Sequence, residues 1–176
     1  MNISDAIRLK RAVREFSPQP LPEPAVLAIL NAGRRAQSSK NTQPWRFIAI
    51  TDKAVLKALS ECGQWAGHLA GAALGVALLS EDPAEKFQRM FDLGQAAAYM
   101  QLAAWEQGVG SCLASIYEPE RARQILAFPA GWHLRIAISF GYPLDPAALT
   151  RPPRKGGRQS LDQLVYRDRW PSEDGH

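Results

Sequence analysis

Cysteine is scarce in this 176-residue chain. Cys62 and Cys112 stand far apart, with no CxxC and no nearby pair of histidines, which excludes a disulfide framework and a zinc knuckle and makes a reducing, cytoplasmic setting the expectation. His68, His133 and His176 are the only histidines, and neither His68 nor His133 is spaced three or four residues from another ligand type. They read as scattered polar residues, and no metal site is expected. The longest weakly polar run, Leu69 to Leu79, is too short to cross a bilayer. Met1-Asn2-Ile3-Ser4-Asp5 has no basic segment leading into an apolar one, so neither a membrane span nor a secretion signal is expected. GxSxG, GxxxxGK[ST] and HExxH are absent, and Gly108-Val109-Gly110 lacks the third glycine of GxGxxG. With no nucleophile constellation of its own, the chain reads either as a binding module or as an enzyme whose cofactor supplies the reactivity.

What is present is ordinary globular material. A hydrophobic share of 46% beside 22% charged residues excludes collagen-like and disordered classes, and the length suits one domain, residues 1–176, burying roughly 70% of the surface the unfolded chain exposes. The net charge of +4 is unevenly placed: Arg8, Lys10, Arg11 and Arg14 crowd one end, and Arg151, Arg154, Lys155 and Arg158 the other. Two such clusters fit a nucleic-acid footprint, two solvated faces, or one composite anion site formed when the fold joins the ends.

The pattern predicts a helix over Ile3–Lys10, a proline-punctuated turn through Pro18, Pro20, Pro22 and Pro24, and a helix over Glu23–Arg35 with Val26, Leu27, Leu30 and the small Ala28 and Ala32 on its packed face. A polar loop, Gln37 to Thr42, leads to a strand at Trp45–Ile50, and Asp52 caps a helix from Lys53 to about Cys62. Ala72–Leu79 reads as a strand apolar on both faces, which calls for cover on both sides. Pro83 marks the start of a long helix, Ala84 to Gln107, carrying Phe87, Met90, Phe91, Leu93 and Trp105. Strands at Val109–Ile116 and Leu134–Phe140 flank a helix at Glu118–Leu126, and a Pro/Gly/Arg-rich arm from Asp145 precedes an amphipathic segment, Leu161–Tyr166.

Two segments suggest a bound anionic heterocycle. Lys10 and Arg14 stand four apart at a helix end, where both reach one phosphate, and Arg14 can bind it through two parallel hydrogen bonds. Gln37 to Trp45 is a loop of hydroxyl and amide groups closed by Gln43-Pro44-Trp45, able to serve a heteroaromatic edge.

In order and spacing, several segments resemble the nitroreductase family of FMN-dependent oxidoreductases: Arg11-Ala-Val-Arg14-Glu-Phe16, Ala32 to Trp45 ending in Asn41-x-Gln-Pro-Trp45, Asp92-Leu-Gly94-Gln-Ala96, Gly108-Val-Gly110-Ser-Cys112, Gly141-Tyr-Pro143, and a basic residue before Leu161. The resemblance implies an α+β sandwich with a central, mainly antiparallel sheet flanked by helices, and a homodimer that exchanges its C-terminal arm, about residues 145–176, and holds one FMN at each of two interface sites. It assigns the phosphate and ribityl chain to Lys10, Arg11, Ala12 and Arg14, joined by Arg158. Ala12 stands where the family often has Ser, and Lys10 where Arg is commoner. Arg35, Ser38, Ser39 and Asn41 would come from the partner subunit, Gln64 would face the pyrimidine side, and the backbone of Leu113, Ala114 and Ser115 would lie near the reactive N5.

The implied activity passes electrons from NADH or NADPH through bound FMN to a small nitroaromatic, quinone-like or otherwise electron-poor acceptor by a ping-pong mechanism, with no catalytic side chain and no nucleic-acid partner. The alternatives are a specialised member that dehydrogenates, dehalogenates or breaks down flavin, and a flavin-binding protein without turnover. For Asp92 and Gly94 the reading is close helix packing, and Trp65, Trp105 and Trp132 read as core or interface residues. Only about a dozen residues separate the strand ending near Ser80 from Asp92, too few for a lid over the flavin.

Overall fold

A computed structural model describes residues 3–152 and 157–170. Its elements are α1 (Ile3–Leu9), α2 (Glu23–Arg34), β1 (Trp45–Ile50), α3 (Lys53–Ser60), β2 (Leu74–Glu81), α4 (Gln88–Glu106), β3 (Gly110–Ser115), α5 (Pro119–Leu126), β4 (Trp132–Gly141) and α6 (Leu161–Leu164). The four strands form one sheet in the order β1-β2-β4-β3, every neighbour antiparallel. This is the expected α+β architecture.

The doubly apolar β2 is explained by the period of two along a strand. Leu74, Val76 and Leu78 pack with Ile29, Met100, Ile138 and Phe140 on the face covered by α2 and α4. Ala77 and Leu79 point the other way, to Leu56, Leu59, Ala122 and Leu134 under α3 and α5. Asp52 caps α3 as expected, its carboxylate accepting from the amides of Ala54 at 2.8 Å and Val55 at 3.0 Å.

Two elements depart from expectation. The packed face of α2 is Ala25, Ile29 and Gly33, while Leu27 is exposed; a Cβ on Gly33 would overlap the Met100 side chain, so glycine is what lets α2 and α4 approach closely. Helix α4 begins at Gln88 rather than Ala84, because Asp82 turns the chain first. Its carboxylate accepts the Ala84 amide at 2.8 Å, its carbonyl accepts the Glu85 amide at 3.3 Å, and the Arg89 guanidinium reaches back to that carbonyl and to Glu81. Phe87, expected inside the long helix, falls just before it, and both Phe87 and Phe91 are exposed.

The chain's two ends meet the sheet differently. Residues 12–17 run along the β3 side: Ala12 bridges Ser111, the Val13 amide donates to the Ser111 carbonyl at 3.0 Å, and Phe16 bridges Pro143. Gly110 and Gly141 make room for this segment, since a Cβ on either would stand 2.7 Å from Val13 or 2.9 Å from Phe16. The arm leaves the body at Leu149, whose carbonyl accepts from the Trp105 indole at 3.2 Å. Every described residue from 157 to 170 is exposed, among them Leu161, Leu164, Val165 and Trp170. Arg154, Lys155 and His176, named above, lie outside the described residues.

Candidate functional site

The backbone of β3 sets up the site. The Ile116 amide donates toward β4, to the Arg135 carbonyl at 2.9 Å, whereas the Ser111 carbonyl accepts from Val13 on the opposite side. Alternation along an antiparallel ladder therefore turns the amides and carbonyls of Leu113 and Ser115 to the same outer edge as Ser111. That edge is covered at Ser111 by the N-terminal segment and at Ser115 by Gly63, on which a Cβ would overlap the Ser115 carbonyl oxygen. Between them Leu113 is 47% exposed, and its open stretch is where a flat ligand could take backbone hydrogen bonds.

Basic groups gather around this stretch. Lys10 donates to Gln101 of α4 at 3.0 Å; burial pushes its ammonium below the ordinary lysine value, the Cys112 thiol opposes that, and the Arg158 charge adds to it. Arg158, near one end of the chain, therefore acts on Lys10, near the other. Arg14 acts electrostatically on both His68 and Cys112, whose thiol burial raises while Arg14 and Lys10 lower it. Arg11 donates to the carbonyls of Arg8 at 2.8 Å and Lys10 at 2.9 Å, closing α1. Together with Ala12, Arg14, Asp145 and Arg151 it lines a cavity of about 580 Å³.

The loop before β1 forms a second half. Lys40, Asn41 and Gln43 all adopt left-handed backbone conformations, with φ of 52°, 55° and 48°, each costing a non-glycine residue on the order of 1 kcal/mol. The fold holds this strained turn by two contacts: Ser38 Oγ accepts the Gln43 amide at 2.9 Å, and the Asp92 carboxylate accepts the Ser39 amide at 3.2 and 3.3 Å. Asp92 is thus a loop anchor rather than a packing residue. Gly94 is not explained by close packing within the chain either, for a Cβ there would meet open space.

The structure therefore places Lys10, Arg11, Ala12 and Arg14 on one segment that meets β3 at Ser111, with Lys10 and Arg14 in electrostatic reach of Cys112 and Arg158 in electrostatic reach of Lys10. Ala114 is fully buried, its side chain in the core under α3 and α5 and, by the same alternation, its amide and carbonyl turned to Ala137 of β4, so the structure does not bring it to the open edge. Arg35, Ser38, Ser39 and Asn41 precede β1, the opposite edge strand, three strand spacings or about 14 Å from β3. Gln64 is exposed and shares a cavity of about 420 Å³ with Glu61, Gly63, Tyr117 and Glu118, next to Ser115. Of the tryptophans, Trp105 is buried, Trp132 is half-buried under the Arg46 guanidinium at 5.2 Å, and Trp65 is exposed.

Sequence reasoning missed His68. It is not a scattered surface residue: its Nδ1 lies 2.7 Å from Oγ of the buried Ser139, and its buried Nε2 has no partner among the described residues. No spacing rule pairs a histidine with a serine 71 residues away; the sheet does.

Among the described residues, no group of three or more His, Cys, Asp or Glu could hold a metal ion, and no helix is long and apolar enough to cross a membrane. The NADH dehydrogenase of Thermus thermophilus is 27% identical over 172 residues, covering 77% of this chain and 84% of that protein. The 5,6-dimethylbenzimidazole synthase of Rhodospirillum rubrum is 26% identical over 189 residues, covering 90% of each. An FMN-dependent nitroreductase from Clostridium difficile superposes with a TM-score of 0.81 at 25% identity, covering 96% of this chain and 100% of that one. The family model of the nitroreductase family matches residues 7–65 and 63–142. With the motifs, the antiparallel sandwich and this match in agreement, the chain belongs to the nitroreductase family.

Proposed function

We propose that the chain is an FMN-dependent oxidoreductase, working as a homodimer, that takes electrons from NADH or NADPH and passes them to nitroaromatic, quinone-like or other electron-poor acceptors in alternating half-reactions. One observation carries this: Arg14 and the half-buried Lys10, on the segment that runs along β3, both bear on Cys112, Arg158 from the other end of the chain bears on Lys10, and the amide-rich loop stands at the far edge of the sheet. One chain holds two different half-sites. A second copy, placing its Ser38–Asn41 loop against the first copy's Lys10 cluster, completes a pocket.

The residues present fit the flavin nucleotide. Lys10, Arg11, Arg14 and Arg158 supply donors and positive charge for its phosphate and ribityl chain, and the Leu113 to Ser115 edge supplies main-chain groups at fixed positions. Bound FMN contributes the hydride-accepting and electron-donating chemistry that the side chains lack. The protein's part is to orient the ring and to place donors where negative charge develops on reduction. Lys10 serves this while drawn below its ordinary pKa, because its desolvated charge is worth more to an anion than a hydrated one.

Support also comes from the names above: one relative is an NADH dehydrogenase and one structural neighbour is FMN-dependent. A specialist that builds or breaks down a ring compound is the second reading, favoured by the similarity to 5,6-dimethylbenzimidazole synthase over 90% of both chains. Product analysis under air separates the two. The test of the main reading is the visible spectrum of the purified protein with and without added FMN, then with NADH or NADPH without oxygen. Flavin bands at about one equivalent per chain that bleach with a nicotinamide are expected; a colourless protein that ignores FMN overturns it.

A further inference from the structure

Between α2 and β1 the chain is anchored on both sides, by the buried Ala36 and the buried Trp45, while residues 39–43 between them are all exposed. Little packing holds these residues, so their shape rests on hydrogen bonds. Most of those bonds are local. The Asn41 amide donates to the Ser38 carbonyl at 3.0 Å, the Thr42 amide to the Ser39 carbonyl at 3.1 Å, the Gln43 amide to Ser38 Oγ at 2.9 Å, and the Gln43 side chain to the Asn41 carbonyl at 3.4 Å. Bonds of this kind fold the turn without fixing where it stands relative to the sheet. Among the described residues, the Ser39 amide is the one group of residues 38–43 with a hydrogen-bond partner outside the loop: the Asp92 carboxylate, 53 residues away on α4.

Asp92 is a fixed point. It is 5% exposed, and Leu93 and Ala96 beside it on α4 belong to the core. Arg89, one turn earlier on the helix, is engaged by Glu81 and Glu85 instead, and Asp92 enters no ion pair among the described residues. Both of its oxygens share the Ser39 amide, at 3.2 and 3.3 Å. A buried carboxylate is costly unless a donor reaches it, so the bond is charge-assisted on one side and relieves a desolvated anion on the other.

We infer that Asp92 is a positioning residue acting across the subunit boundary: it touches no flavin itself, and by holding the Ser39 amide it sets the Ser38–Asn41 loop where the other copy's flavin needs it. This rests on the flavin reading above and adds to it a residue in the body of α4 on which the second half-site depends. The strain in the loop gives the tie its purpose. Lys40, Asn41 and Gln43 keep left-handed backbone angles that persist only where the surroundings impose them. Released from Asp92, the exposed loop relaxes toward ordinary angles and carries its hydroxyl and amide groups out of register with the ligand, while the sheet keeps its own packing.

The test is complementation between subunits, read as FMN affinity and stoichiometry from quenching of flavin fluorescence by apoprotein, with circular dichroism to confirm folding. Asp92→Ala and, as a second variant with a larger apolar side chain in the buried place, Asp92→Leu are each expected to weaken FMN binding about tenfold. Asp92→Asn, which keeps an oxygen acceptor for the Ser39 amide, is expected to recover most of the loss. Arg14→Met weakens the same pocket from its other half. In a mixed dimer of one Asp92→Ala chain and one Arg14→Met chain, isolated with two purification tags, action across the boundary puts both defects in one pocket and none in the other, so one site per dimer is expected to bind FMN as tightly as wild type. Two weakened sites overturn the proposal, and so does wild-type affinity in Asp92→Ala. A second readout needs no flavin: hydrogen exchange of the Ser39 amide in apoprotein is expected to be slow in wild type and Asp92→Asn and fast in Asp92→Ala, and equal rates in all three overturn the proposal. Wild-type protein that binds no FMN overturns the flavin reading and this inference with it, whereas wild-type protein that binds FMN beside a mixed dimer with two weakened sites overturns this inference alone.

Discussion

At the scale of single residues, His68 links folding to pH. Its folded pKa is drawn below 6.5 by burial and by Arg14, so between the folded value and 6.5 the unfolded chain binds more protons than the native one. The stability tied to the neutral ring is fully present above 6.5 and is lost as pH falls through the lowered folded value. Thermal unfolding followed from about pH 8 down to about pH 5 is expected to show Tm falling on the acid side, with a shallower fall in His68→Asn; equal slopes in both proteins would show that other groups set the acid limb. The cationic residues proposed for the site stand out in the sequence through motif order, which ties them to a family; their charge alone fits a solvated face equally well. His68, Ser139, Asp92 and Gln101 were not. Each acts through a partner 53 to 91 residues away, a proximity created by strand order and helix packing rather than by local pattern.

At the scale of elements, the spine of the fold is the α2–α4 contact, where Gly33 meets the fully buried Met100. Met100→Ala leaves a cavity that neither helix can close, since α2 is already at glycine distance, and is expected to cost about 2–5 kcal/mol. At this chain length that lowers Tm by on the order of 4 °C or more, measurable by calorimetry; a loss under about 0.5 kcal/mol would mean the helices slide together. Among the described residues, the four strands and the helices α1, α2, α3 and α5 were legible to within a few residues, because buried strands and capped helices carry strong local signals such as Asp52 before Lys53. The start of α4 was not legible. Pro83 is a good first residue for a helix, but the Asp82 carboxylate and carbonyl offered the backbone a competing turn, and Arg89 reinforced it. The apolar stripe of α2 was misread at Leu27 for a similar reason: alanine and glycine, not the larger leucine, sit at the closest contact.

At the scale of the whole molecule, a row of large apolar side chains lies uncovered on the arm: Leu161, Leu164, Val165, Tyr166 and Trp170. Such a row is what a partner covers, and the arm departs from the body at the Leu149–Trp105 hydrogen bond. Removing everything after Leu149 is expected to abolish both FMN retention and dimerisation while leaving the sheet intact; a truncated protein that remains yellow and elutes as a dimer in gel filtration would refute the arm exchange. Of the readings the two basic clusters leave open, the proposed flavin site takes the composite one, supported by the charge of Arg158 bearing on Lys10. Helix α4 has a consequence of its own. It grips Ser39 through Asp92 and Lys10 through Gln101, nine residues or about 14 Å apart along one rod. In the proposed dimer those two grips belong to different flavin pockets, so each α4 is a beam resting on both, and a displacement where one pocket fills is carried by the same beam to the other.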